Sequence, residues 1–215
     1  DGTGVLVLGG VRIENPGNKT LTLRGDSDPA LENAMGPIVE TAGVLTFTKA
    51  DANTWVMTAS NAYSGATRID DGILRFTADQ NLAGALTFGT ANSITTAGRV
   101  EAKADLTFGG LIAQTNSDTL VNILDIDASR TVTVTGNVSL GSGGATTTTF
   151  FSAVGEGTFN VSNTTGTGNT FIVGGSNTNF ATADFSALKT MNVSLDTTSG
   201  VLLVSSTSGT NSTGT

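Results

Sequence analysis

The sequence predicts an all-β chain wound as a solenoid, each coil stacked on the one before it. Three observations carry that expectation. A short phrase recurs in which Leu and Phe stand two residues apart with a polar residue between them. Aromatic side chains make up only 6% of the chain, while it holds 38 Thr and 28 Gly. Short apolar runs are punctuated by Gly, Asn and Asp. Alternation with period 2 sends one set of side chains inward and the other outward. A sandwich or barrel usually carries a larger aromatic core. A solenoid needs only rows of Val, Ile, Leu and Phe inside and Gly, Asn and Asp at its corners. Thr suits the outer surface, because its β-branch fits the pleat and its hydroxyl bonds its neighbours.

The recurring phrase reads Gly43-Val44-Leu45-Thr46-Phe47-Thr48, then Gly72-Ile73-Leu74-Arg75-Phe76-Thr77. It returns as Gly84-Ala85-Leu86-Thr87-Phe88-Gly89 and Ala104-Asp105-Leu106-Thr107-Phe108-Gly109, with a weaker echo in Thr20-Leu21-Thr22-Leu23-Arg24-Gly25. The Leu positions 45, 74, 86 and 106 are 29, 12 and 20 residues apart, which suits coils with corner loops of variable length. At about 20–25 residues per coil the 215 residues make roughly 8–10 coils. At about 4.8 Å per coil that is a rod roughly 40–50 Å long.

The elements follow in order. Val5-Leu6-Val7-Leu8 and Val11-Arg12-Ile13 open the chain, and Trp55-Val56-Met57-Thr58 precedes a turn. Residues 121–126, 131–135, 170–173 and 201–204 alternate in the same way. Between the strands stand the turn signals Gly9-Gly10, Asn15-Pro16-Gly17, Asp70-Asp71-Gly72, Gly109-Gly110 and Gly141-Ser142-Gly143-Gly144. Helical spacing is readable in only two places. Residues 29–40 read as a loop or short helical insertion holding Pro29 and Pro37, and residues 184–189 share the spacing, but a helix is not the favoured reading of either stretch. Length allows one domain or two, and no linker divides the chain. Residues 1–204 are therefore expected to form one solenoid domain, with 205–215 as a polar C-terminal tail of Ser, Thr, Gly and Asn. Charge is uneven, with 20 charged residues in positions 1–105 and 8 in positions 106–215, which marks a change of surface.

Composition narrows the chemistry. The chain has no His and no Cys. A Ser-His-Asp or Cys-His nucleophile, a His/Cys zinc site, thiol redox chemistry and disulfides are excluded with them. The net charge of −8, from 10 basic and 18 acidic residues, repels phosphate, so no nucleic-acid partner is expected. No run of 18 apolar residues exists, so no membrane-spanning helix is expected. Residue 1 is Asp, with no basic and apolar leader behind it, so any signal peptide is expected to have been removed from this numbering. Abundant β-branched residues and modest net charge oppose disorder.

The stretch Ser60-Asn61-Ala62-Tyr63-Ser64-Gly65-Ala66-Thr67-Arg68-Ile69-Asp70-Asp71-Gly72-Ile73-Leu74-Arg75 resembles the autotransporter-associated β-strand repeat. That family's pattern runs roughly N-x-Y-[ST]-G-x-T-x-I-x-x-G-x-L. Asn61, Tyr63, Ser64, Gly65, Thr67, Ile69, Gly72 and Leu74 match it, and Gly43-Val44-Leu45-Thr46-Phe47 looks like the strand that precedes it. The resemblance covers one full copy. The remainder is similar to the looser Gly/Thr/Asn coils around such repeats, and residues 171–188 look like further coils of large bacterial surface proteins. The resemblance implies a right-handed parallel β-helix, exported and extracellular or held at the cell surface. An autotransporter ends in a membrane β-barrel, and residues 200–215 supply none. The expectation is a passenger fragment, or an exported protein that uses the repeat without the barrel.

The motif also has a rationale of its own. Thr67, Ile69 and Leu74 alternate on either side of a turn at Gly72, and Asp70-Asp71-Gly72 can supply the positive φ of a tight corner. Gly65 permits a sharp corner after Tyr63. Asn61 is expected to stack on an Asn of a neighbouring coil, as amide ladders do.

Carboxylate pairs are the remaining route to catalysis. Asp125 and Asp127, two apart on one strand face with Arg130 nearby, resemble the acidic clusters of β-helix lyases and hydrolases. Those enzymes line a groove with aromatics, and this chain has one Trp (Trp55) and one Tyr (Tyr63), so no catalytic site is expected. Asp26-Ser27-Asp28 and Asp125-Ile126-Asp127 offer paired oxygens for Ca²⁺. Neither matches an EF-hand or nonapeptide calcium loop, so turn-forming Asp is expected and no metal. Residues 141–144 lack the Gly-x-x-x-x-Gly-Lys-Ser/Thr context of a phosphate loop, and no cofactor is expected. Sequons at Asn18, Asn137, Asn160, Asn163, Asn192 and Asn211 support a surface location only weakly in a chain this rich in Asn, Ser and Thr.

The expected function is that of a non-enzymatic extracellular structural protein, a β-solenoid rod, stalk or fibre subunit. The alternative is an adhesin-like passenger that binds a surface or glycan near residues 29–40 or Trp55. An open solenoid end exposes unpaired N–H and C=O groups. Val5, Leu6, Val7, Leu8, Val11 and Ile13 form the candidate self-assembly strand. A head-to-tail contact there does not close, and so gives a filament. The alternative for these residues is the start of the first coil in a domain cut from a longer solenoid. The expected partners are further copies of the chain or the rest of such a solenoid, and cell-surface or matrix components.

Overall fold

A computed structural model describes the chain apart from residues 1–3, 27, 29, 90–95, 115–116, 118, 142–147, 165–167, 175–179, 197–198 and 205–215. The expected tail at 205–215, the Gly-rich turn at 142–144, Ser27 of the Asp26 pair and the Asn211 sequon lie outside the described residues.

Alternating side chains make each run a strand, and glycines and amides turn the chain between runs. The first coil carries β1 (Val7–Leu8), β2 (Val11–Ile13) and β3 (Asn18–Leu23). The second carries β4 (Glu32–Met35), β5 (Ile38–Glu40) and β6 (Val44–Lys49). The third has β7 (Thr54–Met57), a bridge at Ala62 and β8 (Thr67–Ile69). The fourth has β9 (Gly72–Phe76) and β10 (Gln80–Phe88), and the fifth β11 (Gly98–Ala102) and β12 (Leu106–Ala113). The sixth has β13 (Val121–Ile126), β14 (Thr131–Val134) and β15 (Val138–Leu140). The seventh has β16 (Thr148–Asn163) and β17 (Thr170–Val173), and the eighth β18 (Phe180–Asp184), β19 (Leu188–Leu195) and β20 (Val201–Val204).

Every ladder between these strands is parallel, and the ladders form three faces. The first face runs β1-β4-β7-β9-β11-β13-β16-β18. The third runs β3-β6-β8-β10-β12-β15-β17-β20. The second begins with β2-β5 and the Val39–Ala62 bridge and resumes as β10-β12-β14-β16-β19. β10, β12 and β16 each serve two faces. Among the described residues the result is a parallel β-solenoid of eight stacked coils. On the third face the shortest coil runs from Thr67 to Leu86, 19 residues, and the longest from Val138 to Phe171, 33 residues.

Inward side chains stack into columns, such as Met35, Met57, Phe76, Ala102 and Ile126 on the first face, all fully buried. The Leu-x-Phe copies all face this core, but on different faces. Leu45/Phe47 and Leu86/Phe88 lie on the third face, Leu74/Phe76 on the first and Leu106/Phe108 on the second. Their uneven spacing therefore comes from changing faces as well as from loop length. The step of 12 from Leu74 to Leu86 stays inside one coil.

Of the stretch 29–40, the described residues 30–40 are not an insertion. They supply β4 and β5, with Asn33, Met35 and Ile38 buried. Pro37 falls at the corner between the two strands, where its missing N–H interrupts no ladder and its carbonyl accepts from Val11 N at 2.9 Å. Residues 185–187 are the turn between β18 and β19, and residues 184–189 form no helix. Asp184 Oδ1 accepts from Ser186 N at 2.8 Å and Phe185 O from Leu188 N at 3.1 Å, a local pattern whose spacing imitates a helical turn.

Candidate functional site

The repeat wraps the third and fourth coils, and each of its matching residues has a place there. Asn61 is buried at the corner leading to the second face. Its Oδ1 accepts from Ile38 N at 2.8 Å, and its Nδ2 donates to Ala59 O at 3.1 Å and Gln80 Oε1 at 3.0 Å. Asn61 N also donates to Gln80 Oε1 at 3.0 Å, while Gln80 Nε2 donates to Ala59 O and Ala78 O. The amide stack is thus Asn on Gln, not Asn on Asn. Only a longer side chain from the next coil reaches both the Asn61 amide and its backbone.

Tyr63 is buried with its ring 6.2 Å from that of Phe47, and its hydroxyl lies 2.7 Å from Thr67 Oγ1. Burial pushes the phenol well above its ordinary pKa. Ser64 Oγ donates to Glu40 Oε1 at 2.6 Å, and Glu40 Oε2 accepts from Leu45 N and Ser64 N. Desolvation opposes that charge, but the Ser64 hydroxyl and the two amides outweigh it and hold the carboxyl below its ordinary pKa. Thr67 and Ile69 point inward on β8, and Leu74 stacks between Trp55 and Val100. Gly72 turns at φ 69°, with Asp71 Oδ1 accepting from its N at 2.7 Å. Gly65 is needed for close approach, because a Cβ there would stand 2.2 Å from Leu45 O.

The sequence reading missed Lys49. It follows Leu45 and Phe47 on the inward side of β6 and is fully buried. Its Nζ donates to Ala50 O at 2.7 Å, Asp51 O at 2.5 Å and Asp71 O at 3.1 Å. Burial pushes its pKa down to about 8 against the pull of Asp71, Asp51 and Asp26, so it is charged at neutral pH. The signal was present in the period-2 pattern Leu45, Phe47, Lys49.

Asp125 and Asp127 are engaged in ion pairs between coils. Asp125 Oδ2 lies 2.5 Å from Arg99 Nη2 and Asp127 Oδ1 2.7 Å from Lys103 Nζ. Arg99 also reaches Glu101 at 3.0 Å, and Arg75 joins Glu101 at 2.6 Å to Glu32. Alternating charges thus cross the outer surface of the first face from the second coil to the sixth. Arg130 is exposed in the turn after β13, its N donating to Asp127 O at 3.0 Å. Asp28 caps a turn, accepting from Ala30 N on its side chain and Leu31 N on its carbonyl. Among the described residues no three His, Cys, Asp or Glu side chains are grouped to hold a metal ion.

These two polar systems should differ in weight. Asn61→Ala strands the Ile38 N–H in the interior and takes one of the two donors from Gln80 Oε1, and is expected to cost about 1–3 kcal/mol. Asp125→Ala removes one partly exposed ion pair and is expected to cost about 0–1 kcal/mol. Urea denaturation of the two variants side by side checks the ordering.

At the first coil, Val5, Leu6 and Val7 are exposed, Val7 at 70%, while Leu8, Val11 and Ile13 are partly buried against the core. Among the described residues β1, β2 and β3 pair on one side only. At the eighth coil a cavity of about 350 Å³ opens between Phe171, Val173, Phe185, Met191, Leu202 and Val204. Leu202 is 63% exposed there.

Residues 47–76 match the family model described as the passenger-associated-transport-repeat, from Phe47 in β6 to Phe76 at the end of β9. Fold and repeat together define the class: a parallel β-solenoid carrying an autotransporter passenger-type repeat, a family that implies an exported surface protein. No curated protein and no solved structure matches the chain at a significant level.

Proposed function

We propose that the chain is a non-enzymatic, extracellular structural element, a β-solenoid rod or stalk of a surface-exposed passenger, which assembles head-to-tail. The observation that carries this reading is the pair of face-long parallel ladders, first and third, through all eight coils around a repeat of the passenger type. A stack whose coils contact their neighbours acts as a spacer, its length set by coil number. The carboxylates that resemble a catalytic cluster are taken up in ion pairs that tie one coil to the next.

The two end coils favour assembly, because their inward rows match. Advanced by one coil, Val11 and Ile13 of a second copy would lie on Met191 and Val193, and Leu21 and Leu23 on Leu202 and Val204. Electron microscopy and sedimentation of the purified chain test this. Short rods that lengthen with concentration, and stop lengthening in Leu202→Lys, are expected. A species that stays at 21.6 kDa at every concentration would overturn assembly. A compact, non-elongated particle in dilute solution scattering, or specific binding on a glycan array, would turn the reading toward an adhesin.

A further inference from the structure

A buried ammonium costs several kcal/mol unless its donors are satisfied and its charge is balanced. Lys49 meets both conditions without forming a salt bridge. Its three N–H donors go to three main-chain carbonyls, those of Ala50, Asp51 and Asp71, at 2.7, 2.5 and 3.1 Å. The backbone is bent to aim them. Asp51 sits at φ 64°, a conformation rare outside glycine, and Gly72 at φ 69°. Holding a non-glycine residue there costs of order 1 kcal/mol, so the surrounding structure must over-determine it.

The charges around the corner are Asp26, Asp51, Asp71 and Arg24. Asp51 pairs with Arg24 and accepts from Gly25 N, and Asp71 accepts from Gly72 N. None of these carboxylates bonds the Lys49 ammonium, so they act on it at range. Without Lys49, three carbonyl oxygens and two uncompensated negative charges would remain at one corner. Asn53 Oδ1, buried at the same corner, is a further acceptor with no hydrogen-bond partner among the described residues.

Carbonyl oxygens converging at such distances are what a cation takes as ligands. The spacing is too long for Mg²⁺, which demands about 2.0–2.1 Å. It suits a monovalent, ammonium-type ion. We infer that this corner is a cation-binding site built from main-chain oxygens, and that Lys49 is its tethered occupant, supplying from within the chain the ion that other loops take from solution. The repeat's second-to-fourth-coil junction is therefore closed by a charge, and not by the apolar filling used at neighbouring positions of the same column.

Truncation with chemical rescue tests this at pH 7. Lys49→Ala removes three carbons and the ammonium, which is the volume and charge of propylammonium. The melting temperature of the variant is expected to fall by roughly 10 °C. Propylammonium chloride should restore half or more of that loss, while 1-propanol at equal concentration and sodium chloride at equal ionic strength should not. The wild type should ignore all three. Equal rescue by propanol, or none by propylammonium in a folded variant, overturns the inference. Should Lys49→Ala fail to fold at any ligand concentration, Lys49→Met decides. It refills the space without charge, so a clear loss in melting temperature supports the cation site, and a melting temperature at or above wild type overturns it.

Discussion

Gly84→Ala is expected to cost about 3–5 kcal/mol, near the top of the range for a single substitution. The cause is the coil spacing. A Cβ on Gly84 would stand 1.9 Å from Gly65 O in the coil below, and a Cβ on Gly65 would stand 2.2 Å from Leu45 O. The same kind of contact recurs above, where Gly109 would meet Ala83 O at 1.8 Å and Gly136 would meet Gly109 O at 1.9 Å. At this corner backbone lies directly on backbone, coil after coil. One methyl group must push two coils apart by about 1.5 Å to reach ordinary contact, and the ladders on both sides of the corner then lose their hydrogen-bond geometry. The paired control is Gly168→Ala, at φ 79° with nothing within 4 Å of the added carbon. It tests strain without a clash and should cost about 1 kcal/mol. Trp55, buried in the third coil, is the chain's one tryptophan and reports urea unfolding by fluorescence. If Gly84→Ala is no worse than Gly168→Ala, this corner does not set the distance between coils.

The fold was legible because its governing pattern is local. Period-2 alternation at Leu45/Phe47, Leu74/Phe76, Leu86/Phe88 and Leu106/Phe108 needs no knowledge of partners, and all eight side chains are buried. What the alternation cannot say is which face a strand joins, since that depends on how many residues each corner consumes. Strands whose inward residues are polar or small were hidden. β4 buries Asn33 beside Met35, β18 buries Ala181 and Ala183, and β16 crosses a bend at Gly155 that reads as a break. At the repeat, the residues of the motif were named from the sequence but their partners were not. Gln80 lies 19 positions from Asn61, and Glu40 lies 24 from Ser64. Both distances are one coil, and a coil's length is fixed only once the stack has formed. Lys49 escaped for a related reason. Lysine at a strand end reads as solvated, and only the carbonyls of residues 50, 51 and 71, brought together by the fold, make an interior place for it.

Phe151→Ala is expected to cost about 3–5 kcal/mol, the loss typical of a deleted core ring. Its distribution along the solenoid is more informative than its size. Backbone ladders join each coil to its immediate neighbours, which favours unfolding in local steps. The phenyl rings cut across that arrangement. Phe151 packs 5.7 Å from Phe88 edge-on and 6.1 Å from Phe185, and Phe185 in turn lies 6.0 Å from Phe159 and 6.2 Å from Phe171. Phe88 belongs to the fourth coil, Phe151, Phe159 and Phe171 to the seventh, and Phe185 to the eighth. One ring therefore links the fourth coil to a cluster that holds the last two. Removing it should speed amide exchange from β10 through β18, while β6 and β7 keep their protection, because Phe47, Trp55 and Met57 lie in the second and third coils, below the Phe88–Phe151 ring contact. Hydrogen exchange read by mass spectrometry distinguishes the cases. A uniform loss of protection from β3 to β19 would mean that the eight coils unfold as one cooperative unit. A loss confined to β16 would mean that the ring chain carries no coupling, and that the ladders alone hold neighbouring coils together.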